Sequence, residues 1–283
     1  MSPIITVGIK AARRAGSIIL RYLDRLDQLS VEKKGRNDFV SEVDRMAEED
    51  IVDTIHYLYP HHRILAEESG QALSPKNGGG GGRGRTGKNQ LDDKDVEWII
   101  DPLDGTKEFC QLRDDWGVHV ALTLGGACAI GVVYLPSQET LVWGVAVPGR
   151  ERVGIDGPGQ LAAVDSGEPG RVVVSRSHTP PWVEAFAQEV GAGELIPFGG
   201  CGNKTIQLMT DQADIYVHKI GLKEWDTCAP ESIARAAGWT VRKLDGSEHR
   251  YNQPDPHNHE YVMCRPGHLE QVLSALQTSG ALD

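Results

Sequence analysis

The sequence predicts an α/β protein in which an α+β N-terminal half precedes an α/β C-terminal half. Three observations carry that reading: apolar residues at helical spacing before residue 60, alternating strand-like segments from Trp116 to Val147, and strands alternating with helices after Gly170. Apolar residues every three or four positions mark the buried face of a helix, and alternation marks a half-buried strand. A first helix is expected from Pro3 to about Leu26, burying Ile5, Ile9, Ala12, Gly16, Ile19 and Leu23, with Ser2 and Pro3 at cap and first-turn positions. Ser41 opens a second, with Val43, Met46, Ile51, Ile55 and Leu58 as its face and Pro60 as its stop. Arg63 to Ser69 reads as a short strand running out into Glu67 and Glu68, and Val96 to Ile100 as another that ends at Asp101.

Three segments, WGVHVALTL, ACAIGVVYLP and ETLVWGVAV, are broken by Gly125-Gly126 and Pro136-Ser137, as in an antiparallel meander. After the turns around Asp156 to Gly170 come a strand (RVVVS), a helix from about Pro181, a strand near Leu195, a helix from about Asn203, a strand (ADIYVH), a helix from Asp226 and the segment WTVRKL. Such alternation builds α/β layers. The expected division is an N-terminal α+β portion, residues 1–170, and a C-terminal α/β portion, residues 171–283. Within the first, residues 70–94 have the composition of a flexible Gly-rich loop. Gly82, Gly87 and Lys88 in it approach a phosphate-loop signature, but Asn89 replaces the metal-binding hydroxyl and neither the strand nor the helix of that motif flanks it.

The chain has 283 residues, 40% of them apolar, enough for one large domain or two small ones. Its net charge of −11 excludes a broad basic face for nucleic acid or an anionic membrane. Lys10, Arg13 and Arg14 interrupt the N-terminal apolar residues, which fits neither a signal peptide nor a spanning helix, so a cytoplasmic protein is expected. Five scattered cysteines without a CxxC indicate reduced thiols rather than a disulfide framework or zinc site.

The stretch WIIDPLDGTKEF, Trp98 to Phe109, carries the chemistry. An apolar strand ends in Asp101 and Asp104, and a buried carboxylate is costly unless paired or bound to metal. Pro102 fixes one φ angle and Gly105 tolerates a strained turn, so both carboxylates and the Leu103 carbonyl can face one point. All-oxygen ligands favour Mg²⁺ or Mn²⁺ over zinc. Thr106 and the N–H groups after Gly105 suit a phosphate oxygen. The bland alternative is an Asx turn capping a short helix. Glu67, Asp226 in EWDTCAPE and Asp44 in NDFVSEVD add acidic positions that together suit a two-metal phosphate site. Glu68 reads as a solvated charge. His61, His62, His257 and His259 read as surface histidines, Cys228 as a buried structural thiol, and Arg176 as either a phosphate ligand or a paired surface residue.

DFVSEVD, AEES, WIIDPLDGTKEF and EWDTCAPE, in this order, resemble the motifs of the lithium-sensitive, magnesium-dependent phosphatases related to inositol monophosphatase. Within that superfamily DGTKEF, VSRSH (Val174 to His178), GGCGNK (Gly199 to Lys204) and WDTCAPE are most similar to the 3′(2′),5′-bisphosphate nucleotidase branch. The resemblance implies an αβαβα layered sandwich. It implies that Glu67, Asp101, the Leu103 carbonyl, Asp104 and Asp226 hold two or three Mg²⁺ ions, with Mn²⁺ able to substitute and Li⁺ inhibiting. Asp44, Thr106 and Glu67 would be catalytic, with Thr106 hydrogen-bonded to Asp44 and orienting the attacking water. Asp104, Gly105, Thr106, Ser175, His178, Cys201, Lys204 and Asp226 would contact the substrate. That substrate would be adenosine 3′,5′-bisphosphate, a by-product of sulfate assimilation, with 3′-phosphoadenosine 5′-phosphosulfate as a further one. The expected reaction is in-line attack by metal-activated water, in a monomer or homodimer. The alternatives are an inositol mono- or polyphosphate or sugar-phosphate phosphatase of the same superfamily, and a non-catalytic scaffold that keeps the fold.

Overall fold

A computed structural model describes residues 3–28, 33–70, 72–73, 95–164, 167–177 and 179–282. Two long helices, α1 (Pro3–Gln28) and α2 (Lys33–Leu58), pack side by side on one face of a seven-stranded sheet. Its strands are β1 (Arg63–Ala66), β2 (Ala72–Leu73), β3 (Val96–Asp104), β4 (Gly117–Leu124), β5 (Ala127–Leu135), β6 (Thr140–Val145) and β7 (Arg152–Asp156), in the order β2-β1-β3-β4-β5-β6-β7. β1 and β3 run parallel, and the meander from β3 to β7 is antiparallel. The short helix α3 (Thr106–Cys110) follows β3.

The second sheet contains β8 (Arg171–Ser175), β9 (Glu194–Phe198), β10 (Ile215–His218), β11 (Thr240–Arg242) and β12 (Tyr261–Cys264), in the order β11-β12-β10-β8-β9. Helices α4 (Trp182–Glu189), α5 (Cys201–Met209), α6 (Glu224–Ala236) and α7 (Leu269–Thr278) complete the chain.

Strand alternation fixes the layers, because successive side chains point to opposite faces. Trp98, Ile100, Val118, Val120 and Val132 join the core under α1 and α2, while Ile99, Ala121, Val133 and Leu135 join the core that contains Cys228, Ala229 and Ile233 of α6. In the second sheet Val173, Tyr216, Tyr261 and Met263 face that same middle core, and Val172, Val174, Ile215, Val217 and Val262 pack with Phe186 of α4 and Leu276 of α7. The result is the expected αβαβα sandwich. Each large aliphatic side chain so buried contributes about 1.5–3 kcal/mol. Gly131 on β5 lets α6 approach closely, since a Cβ there would stand 2.2 Å from the Ala229 carbonyl oxygen.

Several elements differ from the sequence expectation. Helix α2 begins at Lys33 rather than Ser41, because propagation adds a hydrogen bond per residue beyond the apolar stripe. The C-terminal sheet is mixed, with β8, β9 and β10 parallel but β11 and β12 antiparallel. β7, β12 and α7 were not anticipated: β7 is an exposed edge strand, and β12 is a fully buried four-residue run without alternation. His62 is buried rather than on the surface, accepting the Trp98 indole N–H at 3.0 Å and stacked on Tyr59. All five cysteines are free. Among the described residues no helix is long and apolar enough to cross a membrane. The phosphate-loop decoy and most of the Gly-rich segment lie outside the described residues.

Candidate metal centre

Asp101 and Asp104 are brought together by a bulge. β3 pairs with β4 from Val96 opposite Leu124 to Asp101 opposite His119, and then shifts so that Asp104 lies opposite Gly117. The extra residue on β3 bends the strand, and Pro102, with no N–H to give the ladder, sits inside it. Asp101 Oδ1 accepts the Leu103 N–H at 3.0 Å, so the Asx turn offered as the bland alternative is present. It coexists with a cluster: carboxylate oxygens of Asp101, Asp104 and Asp226 all lie within 4.8 Å of one another. Asp226 comes from the first turn of α6, its Oδ2 accepting the Lys223 N–H at 2.6 Å. Glu67, in the turn after β1, is hydrogen-bonded to the Asp101 carboxyl.

The electrostatics of these groups diverge. Burial drives the Asp101 carboxyl well above its usual range, and repulsion from Glu67, Asp104 and Asp226 adds to it. Burial and Asp104 push Asp226 up to about 7, and burial raises Glu67. Asp104 is equally buried, yet its carboxyl is lowered, because His119, Lys204 and the Cys201 N–H outweigh the desolvation. An excess of buried negative charge held by oxygen donors alone fits a hard divalent cation such as Mg²⁺ or Mn²⁺.

The remaining expected residues are placed unevenly. Thr106 follows Gly105, whose φ of +90° turns the chain into α3. The Thr106 hydroxyl donates to the Leu103 carbonyl at 3.1 Å, so the expected bond to Asp44 is not made and the carbonyl proposed as a ligand is engaged here by that hydroxyl. Asp44 Oδ1 is buried without a hydrogen-bond partner, and its carboxyl is pushed up to about 8 by burial and then by Glu68, Glu67 and Glu48. Glu68 is exposed, as expected, with its N–H donating to Glu48 Oε2 at 2.8 Å.

Among the expected nucleotide contacts, Ser175 ends β8 half-buried, and His178 lies outside the described residues. Cys201 buries its thiol in the middle core, so a contact from that side chain to a nucleotide is corrected; its N–H donates to Asp104 Oδ1 at 2.9 Å. Lys204 is turned inward at 4% exposure, its ammonium donating to the Gly200 carbonyl at 2.5 Å and lying 5.3 Å from the Tyr216 ring centre. Arg176 takes the paired reading, with Asp115 as its carboxylate partner. Cys228 is buried, as expected.

Two residues escaped the sequence reading. His119 on β4 is fully buried, with Nε2 3.1 Å from Asp104 Oδ2 and Nδ1 3.2 Å from the Trp225 carbonyl oxygen. The detectable signal is strand alternation, which puts this one imidazole on the same face as Ala121 in a strand whose other polar side chain is Thr123. Lys223 is half-buried just before α6, with its ammonium 4.9 Å from the Trp225 ring centre and its charge acting on Glu67. The glycines of GGCGNK also acquire a local reason. A Cβ at Gly202 would lie 2.2 Å from His119 Nε2, and one at Gly200 2.7 Å from Asp104 Oδ2.

A five-layer sandwich with an acidic, all-oxygen cluster between its layers defines a metal-dependent phosphatase class. The inositol monophosphatase family matches residues 1–281, and the chain belongs to that family. It is 32% identical over 253 residues to the Nus factor SuhB of Vibrio cholerae, covering 87% of each chain. To the Nus factor SuhB of Escherichia coli K12 it is 30% identical over 257 residues, covering 89% of this chain and 88% of that one. Among solved structures, the suhB protein of Bartonella henselae superposes with a TM-score of 0.74 at 22% identity, covering 98% of this chain and 99% of that one. CysQ from Bacteroides thetaiotaomicron, described as a bacterial member of the inositol monophosphatase family, gives 0.69 at 26% identity, covering 94% and 98%.

Proposed function

We propose that this phosphatase removes the 3′-phosphate of adenosine 3′,5′-bisphosphate, giving AMP and phosphate, and that Glu67, Asp101, the Leu103 carbonyl, Asp104 and Asp226 hold the Mg²⁺ it uses. The clustering of Asp101, Asp104 and Asp226 within 4.8 Å carries the metal part of this reading. Divalent cations bound there supply charge to the phosphate oxygens and lower the pKa of a nucleophilic water. The chain's own residues do the rest. Asp101 and Glu67, hydrogen-bonded to each other in the fold, would hold a cation as carboxylates. Thr106 and Asp44 orient the attacking water, with Asp44 offering an oxygen that lacks a partner in the fold. Glu67 stands beside them to accept a proton.

The nucleotide part rests on the VSRSH, GGCGNK and WDTCAPE segments and on Lys223, a cation beside the acidic cluster that suits a second phosphate. A second reading, an inositol phosphate or sugar phosphate as substrate, is favoured by the inward burial of Cys201 and Lys204, which removes two expected nucleotide contacts. Solved relatives of this fold also carry the name inositol monophosphatase, one from Anabaena with a TM-score of 0.71 at 21% identity, covering 97% of this chain and 95% of that one. Steady-state kcat/KM for adenosine 3′,5′-bisphosphate, 3′-phosphoadenosine 5′-phosphosulfate and inositol 1-phosphate separates the two. The nucleotide reading expects the bisphosphate to lead by orders of magnitude, and a lead for inositol 1-phosphate overturns it.

A further inference from the structure

His119 has no place in the reaction described above, yet it is the imidazole buried against the metal cluster. Its two nitrogens span two elements that must be held in register. Nδ1 lies 3.2 Å from the Trp225 carbonyl oxygen, one residue before Asp226. Nε2 lies 3.1 Å from Asp104 Oδ2. The same Oδ2 accepts the Gly202 N–H at 2.8 Å, whereas Oδ1 accepts the Cys201 N–H at 2.9 Å. A carboxylate oxygen has two acceptor directions. The imidazole edge therefore stands against one side of Oδ2 while the Gly202 N–H takes another, and Oδ1 keeps a direction for a cation. Gly202 is shaped to this arrangement, since any Cβ there would stand 2.2 Å from Nε2 and displace the ring.

We infer that His119 is a positioning residue that occupies Oδ2 of Asp104, makes Asp104 a one-oxygen metal ligand, and ties its orientation to the start of α6 where Asp226 lies. The inference rests on the metal reading of the cluster. Partners that orient a ligand typically change metal affinity by about 10–100-fold when removed.

The test is titration calorimetry of the full chain with MnCl₂, with thermal unfolding as the control for folding. Wild type is compared with His119→Leu, which has no donor, and His119→Asn, which keeps an amide donor. The inference expects wild type to bind Mn²⁺, the leucine variant to lose about 10–100-fold at one site with the others unchanged, and the asparagine variant to stay close to wild type. A leucine isotherm equal to wild type overturns it, as does equal loss in both variants, which would assign the effect to ring packing. Should the leucine variant fail to fold, Gly202→Ala displaces the ring from the other side, and an unchanged isotherm there overturns the inference too. If wild type binds no Mn²⁺, the metal reading itself falls; if wild type binds and the variants match it, only the role of His119 falls.

Discussion

Asp101 and Asp104, three residues apart in one bulge, should respond in opposite ways to the same substitution. The Asp104 carboxylate accepts N–H groups from Cys201 and Gly202 and faces the His119 imidazole at 3.1 Å. Asparagine in that pose offers one oxygen and one NH₂, so a donor is forced against a donor. Leaving a buried donor unsatisfied costs about 1–3 kcal/mol, and removing one partner of a buried ion pair about 3–5 kcal/mol. A loss of about 3–4 kcal/mol lowers Tm by roughly 6 °C in a chain of this size. Asp101 is different: its carboxyl donates to Glu67 and accepts the Leu103 N–H, and an asparagine amide can do both. Asp101→Asn should therefore leave the Tm of the metal-free protein unchanged or slightly raised. Both variants should lose activity, because several kcal/mol of transition-state charge stabilisation depend on a bound metal. At about 1.36 kcal/mol per tenfold in rate, that is a fall in kcat of at least roughly a hundredfold. Thermal melts in chelator and phosphate release in Mg²⁺ provide the two readouts. An Asp101→Asn variant that melts below Asp104→Asn would refute the assignment of partners.

The pH dependence of stability follows from the raised carboxyls. Asp44 at about 8 and Asp226 and Glu224 at about 7 bind protons in the folded chain that the unfolded chain has released. Their contribution to stability in chelator should be full below the unfolded values near about 4 and be lost as pH rises to about 8, with Mg²⁺ flattening the decline; a Tm that rises between about pH 5 and 8 in chelator contradicts it. Asp44→Asn should raise metal-free stability at pH 8, since it removes a buried charge with an unpartnered oxygen, while lowering kcat; unchanged turnover would remove Asp44 from the reaction. Gly131→Ala forces a Cβ to within 2.2 Å of the Ala229 oxygen and should cost about 1–3 kcal/mol in urea unfolding. An unchanged midpoint would show that α6 shifts freely on β5.

The site was legible where covalent chemistry constrains the backbone. Pro102 and Gly105 announce a broken strand, and apolar residues before Asp101 announce burial, so a carboxylate pair in DPLDGT had to meet compensation. Glu67 and Asp226 are legible as candidate acidic positions, but their assignment as ligands comes from the resemblance of their segments, because nothing local to either says that two distant turns converge on one bulge. His119 was hidden inside a strand whose alternation was read for its apolar members alone. GGCGNK was read for a ligand, whereas Gly200 and Gly202 open room for Asp104 and His119. His62 passed for a surface residue because its partner, the indole of Trp98, lies 36 positions away. In the fold, periodic segments such as α1 and the meander were plain. β12, buried on both faces, offers no alternation to detect, and β7 is held mainly by its pairing with β6.

The central claim is that the acidic cluster makes this chain a metal-dependent phosphatase. The most direct measurement is phosphate release from adenosine 3′,5′-bisphosphate and inositol 1-phosphate by the full chain in Mg²⁺, in excess chelator, and after Mg²⁺ is restored, with Asp226→Asn alongside. The account predicts release from at least one substrate that chelator abolishes and Mg²⁺ restores, and none from the variant. Release that persists in chelator, or that survives in Asp226→Asn, would contradict it.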